Sequence, residues 1–490
     1  MHSDSKKLSV IEKIGYGLGD TASNLFFQVT IYFLSFFYTD VFGIEAKTAG
    51  TMFLVTRIWD AVNDPMMGAI ADRTKTRWGR YRPFLLWFAI PFGVIGVAMF
   101  TTPEMTGTGK VVYAYVTYTL MMMVYTIINV PYCALMGVIS ADPRERTVIS
   151  SFRFVLVFIA ALLVQYFLQD IVIRFGQSFM TADQVAMLSP EQLDDVAKRS
   201  PHGWQMAMTI LFSAAVVLFF VTFFTTKERV RPIVGKESSF TRDMADLFGN
   251  GPWLFIGIAT IFQLIYVVMR GSAILYYFNN YIQSRQLDFF GQSFRCSATQ
   301  LSAAFMLFGT AFTIVGAILT KWFCKFLDKS KAYSFLFIFA GITTAAVFFV
   351  KPENLTMLFI LQILTSFCMG PVSALQWAIY TDTADYSEWK TSRRATALIM
   401  AASLFMLKMG VAIGGAAFNW ILAAYGYDPD SHITPVAVKG ICLNMSVYSA
   451  IPALIAGVLM LFYPLTNSKL LRIEQDLSYR RNQAVSNDTN

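Results

Sequence analysis

The chain has 490 residues, 56% hydrophobic and only 14% charged, with a mean hydropathy of +0.52. Soluble domains carry about 25% charged residues, and disordered chains lack this chain's 16% of aromatic residues, so both classes are excluded. A spanning helix needs about 20 apolar residues, which leaves room for about a dozen spans and no large soluble domain.

In chain order the apolar runs predict spans at 14–39, 49–70, 84–100, 111–139, 148–173 and 204–225. The second six fall at 252–281, 298–320, 334–350, 355–380, 395–424 and 441–464. With these spans most of the 39 Lys and Arg lie on the side that carries both termini, which the positive-inside rule makes cytoplasmic. The net charge of +8 therefore reads as topology. Arg73, Lys75, Arg77, Arg80 and Arg82 read as anchors beside lipid head groups, and nucleic acid is not an expected partner. Met1 to Lys13 is short and polar and has no separate apolar stretch with a cleavage site, so no cleaved signal peptide is expected.

On the first span Asp20, Asn24 and Gln28 recur every four residues and form a polar stripe. Such a stripe either joins helices or, facing water, holds sugar hydroxyls. Gly15, Gly17 and Gly19 before it permit close backbone approach. The second span holds Arg57, Asp60, Asn63 and Asp64. Asp60 and Asp64 project from one face and repel in low dielectric. A cation with Asn63 and Thr126 completing an oxygen shell, a shared proton, or neutralisation by Arg57 and Lys408 would each relieve that repulsion. Intramembrane charges are costly and read as functional by default; the candidates are Asp20, Arg57, Asp60, Asp64, Arg153, Arg270 and Lys408.

Between spans five and six, Ser189 in the 174–204 loop suits the N-cap of a short helix. The polar segment Thr226 to Gly251, with Arg231, Pro232, Gly235 and Arg242, separates six spans from six. Arg270 lies mid-span on the seventh, with Gln263, Tyr266 and Tyr277 on its face; a guanidinium there takes a carboxylate in a fork or bonds a neighbouring helix. On the tenth, Ser373, Gln376, Trp377 and Tyr380 offer an aromatic plane beside polar groups, or an interfacial belt. Asp72, Arg77 and Arg80 in the second loop face Asp382, Asp385 and Glu388 as a candidate cytoplasmic gate. The five cysteines form no CxxC pair, and the three histidines lie outside the spans, so no cofactor or zinc site is expected.

Arg57-Ile-Trp-Asp60-Ala-Val-Asn63-Asp64-Pro65 resembles the second-helix signature of the glycoside–pentoside–hexuronide:cation symporters, melibiose permease-like sugar transporters of the major facilitator fold. Gly17-Leu-Gly19-Asp20, Tyr38-Thr39-Asp40, Arg77-Trp-Gly79-Arg80, Tyr125-Thr126-Ile-Ile-Asn129-Val-Pro131, Thr383-Ala-Asp385-Tyr386 and Lys408 also match, over about residues 10–465.

The resemblance implies an all-α membrane protein of 12 transmembrane helices, in two six-helix bundles related by a pseudo-twofold axis. The expected parts are bundles at 1–225 and 252–464, a cytoplasmic linker at 226–251 and a cytoplasmic tail at 465–490. It implies no enzyme but a secondary transporter that moves a sugar with Na⁺ or H⁺ by alternating access, a monomer in the bacterial inner membrane among its lipids. The same fold moving a lipid or drug is the alternative. The implied cation site is Asp60, Asn63, Asp64 and Thr126. The sugar-contacting candidates are Asp20, Asn24, Asn129, Arg153, Arg270, Trp377 and Lys408. The family pattern has Asp at Asn129 and Trp at Cys133, both of which contact a galactosyl group, so recognition of galactosides is left open. The bases Arg57, Arg153, Arg270 and Lys408 within the spans leave a uronate-containing sugar beside a neutral glycoside or pentoside.

Overall fold

The computed structural model describes residues 8–140, 143–229, 247–289, 292–391, 396–429 and 433–488. Within them the chain is almost wholly helical. The long helices are α1 (Val10–Tyr32), α2 (Ala46–Arg73), α3 (Arg82–Met99), α4 (Thr108–Ile139), α5 (Pro143–Ser178) and α6 (Pro201–Thr225). They continue with α7 (Gly251–Tyr277), α8 (Ala298–Ile318), α9 (Lys329–Ala346), α10 (Leu355–Thr391), α11 (Thr396–Ala424) and α12 (Pro435–Leu461). A last helix, α13 (Asn467–Asp488), follows the apolar part of the chain.

Among the described residues ten helices are long and apolar enough to cross a membrane. The predicted spans 14–39 and 49–70 correspond to α1 and α2, which fall outside that group. Asp20, Asn24 and Gln28 on α1, and Arg57, Asp60, Asn63 and Asp64 on α2, lower their hydropathy. These two helices carry Asp20, Asn24, Asp60, Asn63 and Asp64 of the predicted sites.

The chain divides into two compact units. One comprises Met1–Val234, Gly271–Leu307 and Gly415–Ile441; the other comprises Gly235–Arg270, Phe308–Gly414 and Cys442–Asn490. In the first, α1 packs against α5 and α6, α3 against α4 and α6, and α2 against α4. Small residues set these distances. A Cβ on Gly17 would sit 2.7 Å from Leu156 Cδ1, and one on Gly19 would sit 2.6 Å from Tyr132 Cε2. In the second unit α9 packs against α10 and α12, around a core that includes Tyr266, Tyr333, Phe337 and Tyr380. The tail helix α13 lies along α10, where Trp389 Nε1 donates to Asp476 Oδ2 at 3.0 Å.

Two short helices, Ala182–Met187 and Pro190–Lys198, form in the 174–204 loop. Thr181 and Ser189 each start one through a capping box with Gln184 and Gln192, so the expected N-cap at Ser189 is present. An antiparallel hairpin, Arg285–Phe289 with Gln292–Cys296, follows α7 and was not expected from the sequence. Of the linker predicted at 226–251, residues 230–246, with Arg231, Pro232, Gly235 and Arg242, lie outside the described residues.

Candidate functional site

The α2 register places two carboxylates against one hydroxyl. Asp60 and Asp64 are one turn apart, and α4 presents Thr126 between them. The Thr126 hydroxyl oxygen lies 2.7 Å from Asp60 Oδ1 and 3.0 Å from Asp64 Oδ1. Asp60 is 1% exposed and Thr126 is equally buried, so water screens neither. Arg57 Nη1 stands 3.7 Å from Asp60 Oδ2, long for a hydrogen bond but close enough to offset charge. Asn63 is adjacent, and its buried Nδ2 makes no hydrogen bond. The four residues predicted to hold a cation are thus clustered at one level of α2 and α4.

The polar stripe of α1 meets α5. Arg153 Nε donates to Asp20 Oδ2 at 2.5 Å, and the two side chains are 26% and 8% exposed. Asn24 Nδ2 donates to Asp20 Oδ1 at 3.3 Å and to its carbonyl at 3.0 Å. The Arg153 guanidinium lies 5.8 Å from the centre of the Tyr132 ring. That ring stacks on Tyr16 at 4.7 Å, and each phenol donates to the other's backbone carbonyl. Asn129 and Cys133 flank this stack on α4, half-buried and exposed respectively.

In the second unit Arg270, Gln376 and Tyr380 of the predicted faces turn inward. Arg270 is 8% exposed and donates from Nη2 to Gln362 Oε1 at 2.5 Å. Its face-mates are engaged in the same interior: Gln263 accepts from Tyr333 at 2.7 Å, and Tyr266 pairs with Thr344 at 3.1 Å. On α10, Gln376 and Tyr380 are buried and bond Thr260 of α7. Trp377 is 40% exposed, and Lys408 on α11 is half-buried.

At the start of α3 the Arg77-Trp-Gly79-Arg80 turn is a backbone receptor for a carboxylate. Glu228, just past α6, accepts from the backbone N–H of Arg80, Tyr81 and Arg82 at 2.8, 2.7 and 3.0 Å. An anion at a helix N-terminus satisfies groups that have no partner within the helix. Gly79 adopts φ +117°, and a Cβ there would sit within 2.6 Å of the Glu228 carboxylate, so glycine is required on both counts. Arg77 is exposed with its guanidinium over the Trp78 ring. The Asp72 side chain lies outside the described residues; Asp385 is exposed, and its neighbour Asp382 binds Lys329 at 2.8 Å.

A second buried acid, Asp40, lies past the end of α1 in the segment Phe37–Val41 and entered the sequence reading only within a matching motif. Asp40 accepts from Thr39 and from Tyr427, both at 2.7 Å, with Arg199 at 3.8 Å. Arg199 also donates to the Pro429 carbonyl at 3.0 Å, and Lys198 to Asn279 at 3.0 Å. Asp40 fell one residue beyond the predicted span and so was not counted as an intramembrane charge. Glu12 was missed for a similar reason; it is 5% exposed and binds Arg229 through both oxygens, at 2.6 and 2.8 Å.

Long apolar helices that present charged and polar side chains to one another suit a secondary transporter. The sequence model described as MFS/sugar transport protein matches residues 15–467, and the chain belongs to that family. It is 34% identical to the inner membrane symporter YicJ of Escherichia coli (strain K12), over 97% of this chain and 96% of the relative. It is 31% identical to the isoprimeverose transporter of Lactiplantibacillus pentosus, over 92% and 88%. The crystal structure of a bacterial homolog of the human lysosomal transporter Spinster superposes with a TM-score of 0.64 at 13% identity, covering 95% of this chain and 97% of the other. The fold is that of the major facilitators, and the chain is a cation-coupled sugar symporter of the bacterial inner membrane.

Proposed function

We propose that this symporter couples one monovalent cation, held by Asp60, Asp64, Thr126 and Asn63, to the movement of a neutral glycoside held by Asp20, Asn24, Asn129 and Arg153. One observation carries the coupling site: a single hydroxyl contacts two carboxylates. Thr126 has one hydrogen to donate. Donation to either carboxylate leaves its lone pairs facing the other at hydrogen-bond distance, which is repulsive unless a proton or a cation joins the oxygens. Sodium suits an all-oxygen shell, by analogy with harder cations, and a proton shared between the acids is the other solution. Either ligand lowers the charge of α2 when it binds, and either links cation occupancy to the rest of the transport cycle.

The preference for neutral cargo is supported by Arg270, whose guanidinium donates to Gln362 and whose face-mates bond within the second unit. The isoprimeverose carried by a relative points the same way. Asp20 is set to accept from sugar hydroxyls, because Arg153 and Asn24 fix the orientation of its carboxylate. A part in gating is proposed for Asp72 and Asp385, near the ends of α2 and α10, and for Arg77 and Arg80 in the turn before α3. The protein acts as a monomer surrounded by lipid.

Counterflow in proteoliposomes tests the proposal. Glycosides and glucuronides are offered in turn, with and without Na⁺ and at several pH values. Exchange of a neutral glycoside, stimulated by one of the two cations, is the expected result. Exchange of glucuronides alone would overturn the choice of cargo, and exchange indifferent to both cations would overturn the coupling site.

A further inference from the structure

The sugar site proposed above uses only the inner part of the α1–α5 seam, and the amides farther along it have no role there. Asp20 pairs with Arg153, and eight residues on, Gln28 pairs with Gln165, whose Nε2 donates to Gln28 Oε1 at 3.2 Å. Both contacts advance together along the chain, so the two helices run parallel. At 1.5 Å per residue the two contacts are about 12 Å apart along α1. One turn beyond Gln165, Gln169 is 3% exposed, and both of its amide atoms are buried without a hydrogen-bond partner. A buried amide left in that state is costly, because its desolvation is not offset. Asn24, Phe27 and Gln28 share one face of α1 and are all only half-buried, so this seam keeps an accessible side.

We propose that the seam is an elongated saccharide subsite. Asp20, Asn24 and Arg153 hold one sugar ring; half-buried Gln28 binds the hydroxyls of a second, with Gln165, 3% exposed, positioning its amide from behind, and the chain prefers disaccharide-length glycosides to single rings. The inference rests on the sugar-binding reading of Asp20. A separation of about 12 Å exceeds one ring and suits two linked rings. Amides match the task, because each offers a carbonyl acceptor and two donors to a neutral ring whose hydroxyls do both. Phe27, between Asn24 and Gln28 on the same face, gives an apolar surface for the ring to lie on. When a sugar hydroxyl takes the Gln28 amide, Gln165 turns to Gln169 at i+4, whose two amide atoms are open to it. Amides that only join helices explain the Gln28–Gln165 bond, but they leave the unpartnered Gln169 unaccounted for.

The test is binding of matched ligands to the purified full-length protein. The pairs are methyl β-xyloside with xylobiose and methyl β-glucoside with cellobiose, scored on whichever pair the parent binds. The parent is expected to bind the disaccharide at least tenfold more tightly than its methyl glycoside. Gln28→Leu and Gln165→Leu should each abolish that preference while holding the methyl glycoside within twofold, which also certifies that the variants are folded. Gln169→Leu should weaken the disaccharide alone, by a smaller factor. A parent without preference, variants that keep it, or equal loss of both ligands overturns the elongated subsite. Asp20→Ala separates the two readings: it should lose both ligands, and its retention of both would instead remove the sugar site on which the inference rests.

Discussion

Replacing Asp20 by Asn leaves the Arg153 guanidinium facing a neutral amide inside the α1–α5 seam. Two unit charges about 4 Å apart interact by about 4 kcal/mol at an effective dielectric of 20 and by about 1 kcal/mol in water. Breaking a fully buried pair costs about 3–5 kcal/mol, because the surviving charge is stranded. Arg153 is 26% exposed and has the Tyr132 ring nearby, so part of that penalty is relieved. The expected loss is about 2–3 kcal/mol, read as a midpoint several degrees lower in thermal unfolding of the detergent-solubilised protein. Arg153→Gln strands the smaller, Asn24-bonded carboxylate and should cost less. The double variant removes both charges and should recover most of the stability, giving a coupling of about 2 kcal/mol in the cycle. Sugar binding should be lost in Asp20→Asn and remain lost in the double variant, since stability returns but the acceptor does not. An Asp20→Asn protein that melts with the parent and binds sugar normally refutes the reasoning on both counts.

Glu228→Gln should lower the melting temperature through about 1–3 kcal/mol, because three backbone N–H groups at the start of α3 lose a charged acceptor, checked by thermal unfolding. Gly19→Ala should reduce the yield of folded protein, since its Cβ would sit 2.6 Å from Tyr132 Cε2 and overpacking costs about 1–3 kcal/mol; Gly109→Ala, with open space, serves as the control. Tyr427→Phe removes a donor from buried Asp40 and should cost about 1–3 kcal/mol in the same unfolding assay.

Much of the architecture was legible because membrane spans are written locally. Apolar length predicted the helices, and the four-residue spacing of Asp60 and Asp64 placed both acids on one face, where Thr126 is found. The Ser189 cap was readable for the same reason, as a capping box lies within four residues. Periodicity showed that Gln263, Tyr266 and Arg270 share a face of α7, but it cannot say which way that face looks. Packing against Tyr333, Thr344 and Gln362 turns it inward. Partners distant in sequence were illegible too. Glu228 serves Arg80 across 148 residues, and Asp40 meets Tyr427 across 387. No local pattern encodes such pairs, because a charge beside an apolar run looks the same whether it caps a helix or faces water. The hairpin after α7 escaped for a related reason, since Arg285–Phe289 is too short and polar to stand out beside long apolar helices.

The most direct test of the account is the dependence of sugar affinity on cation in the parent and in Asp64→Asn. Titration with Na⁺ at fixed pH, and with pH at zero Na⁺, should tighten sugar binding by the parent for one of the two cations. In Asp64→Asn sugar binding should persist, because Asp20, Asn24 and Arg153 are untouched, but the titration should be flat, since the carboxylate that joins the cation to Thr126 and Asp60 is gone. A variant whose sugar affinity still rises with that cation by the parent's factor would contradict the assignment of the coupling site.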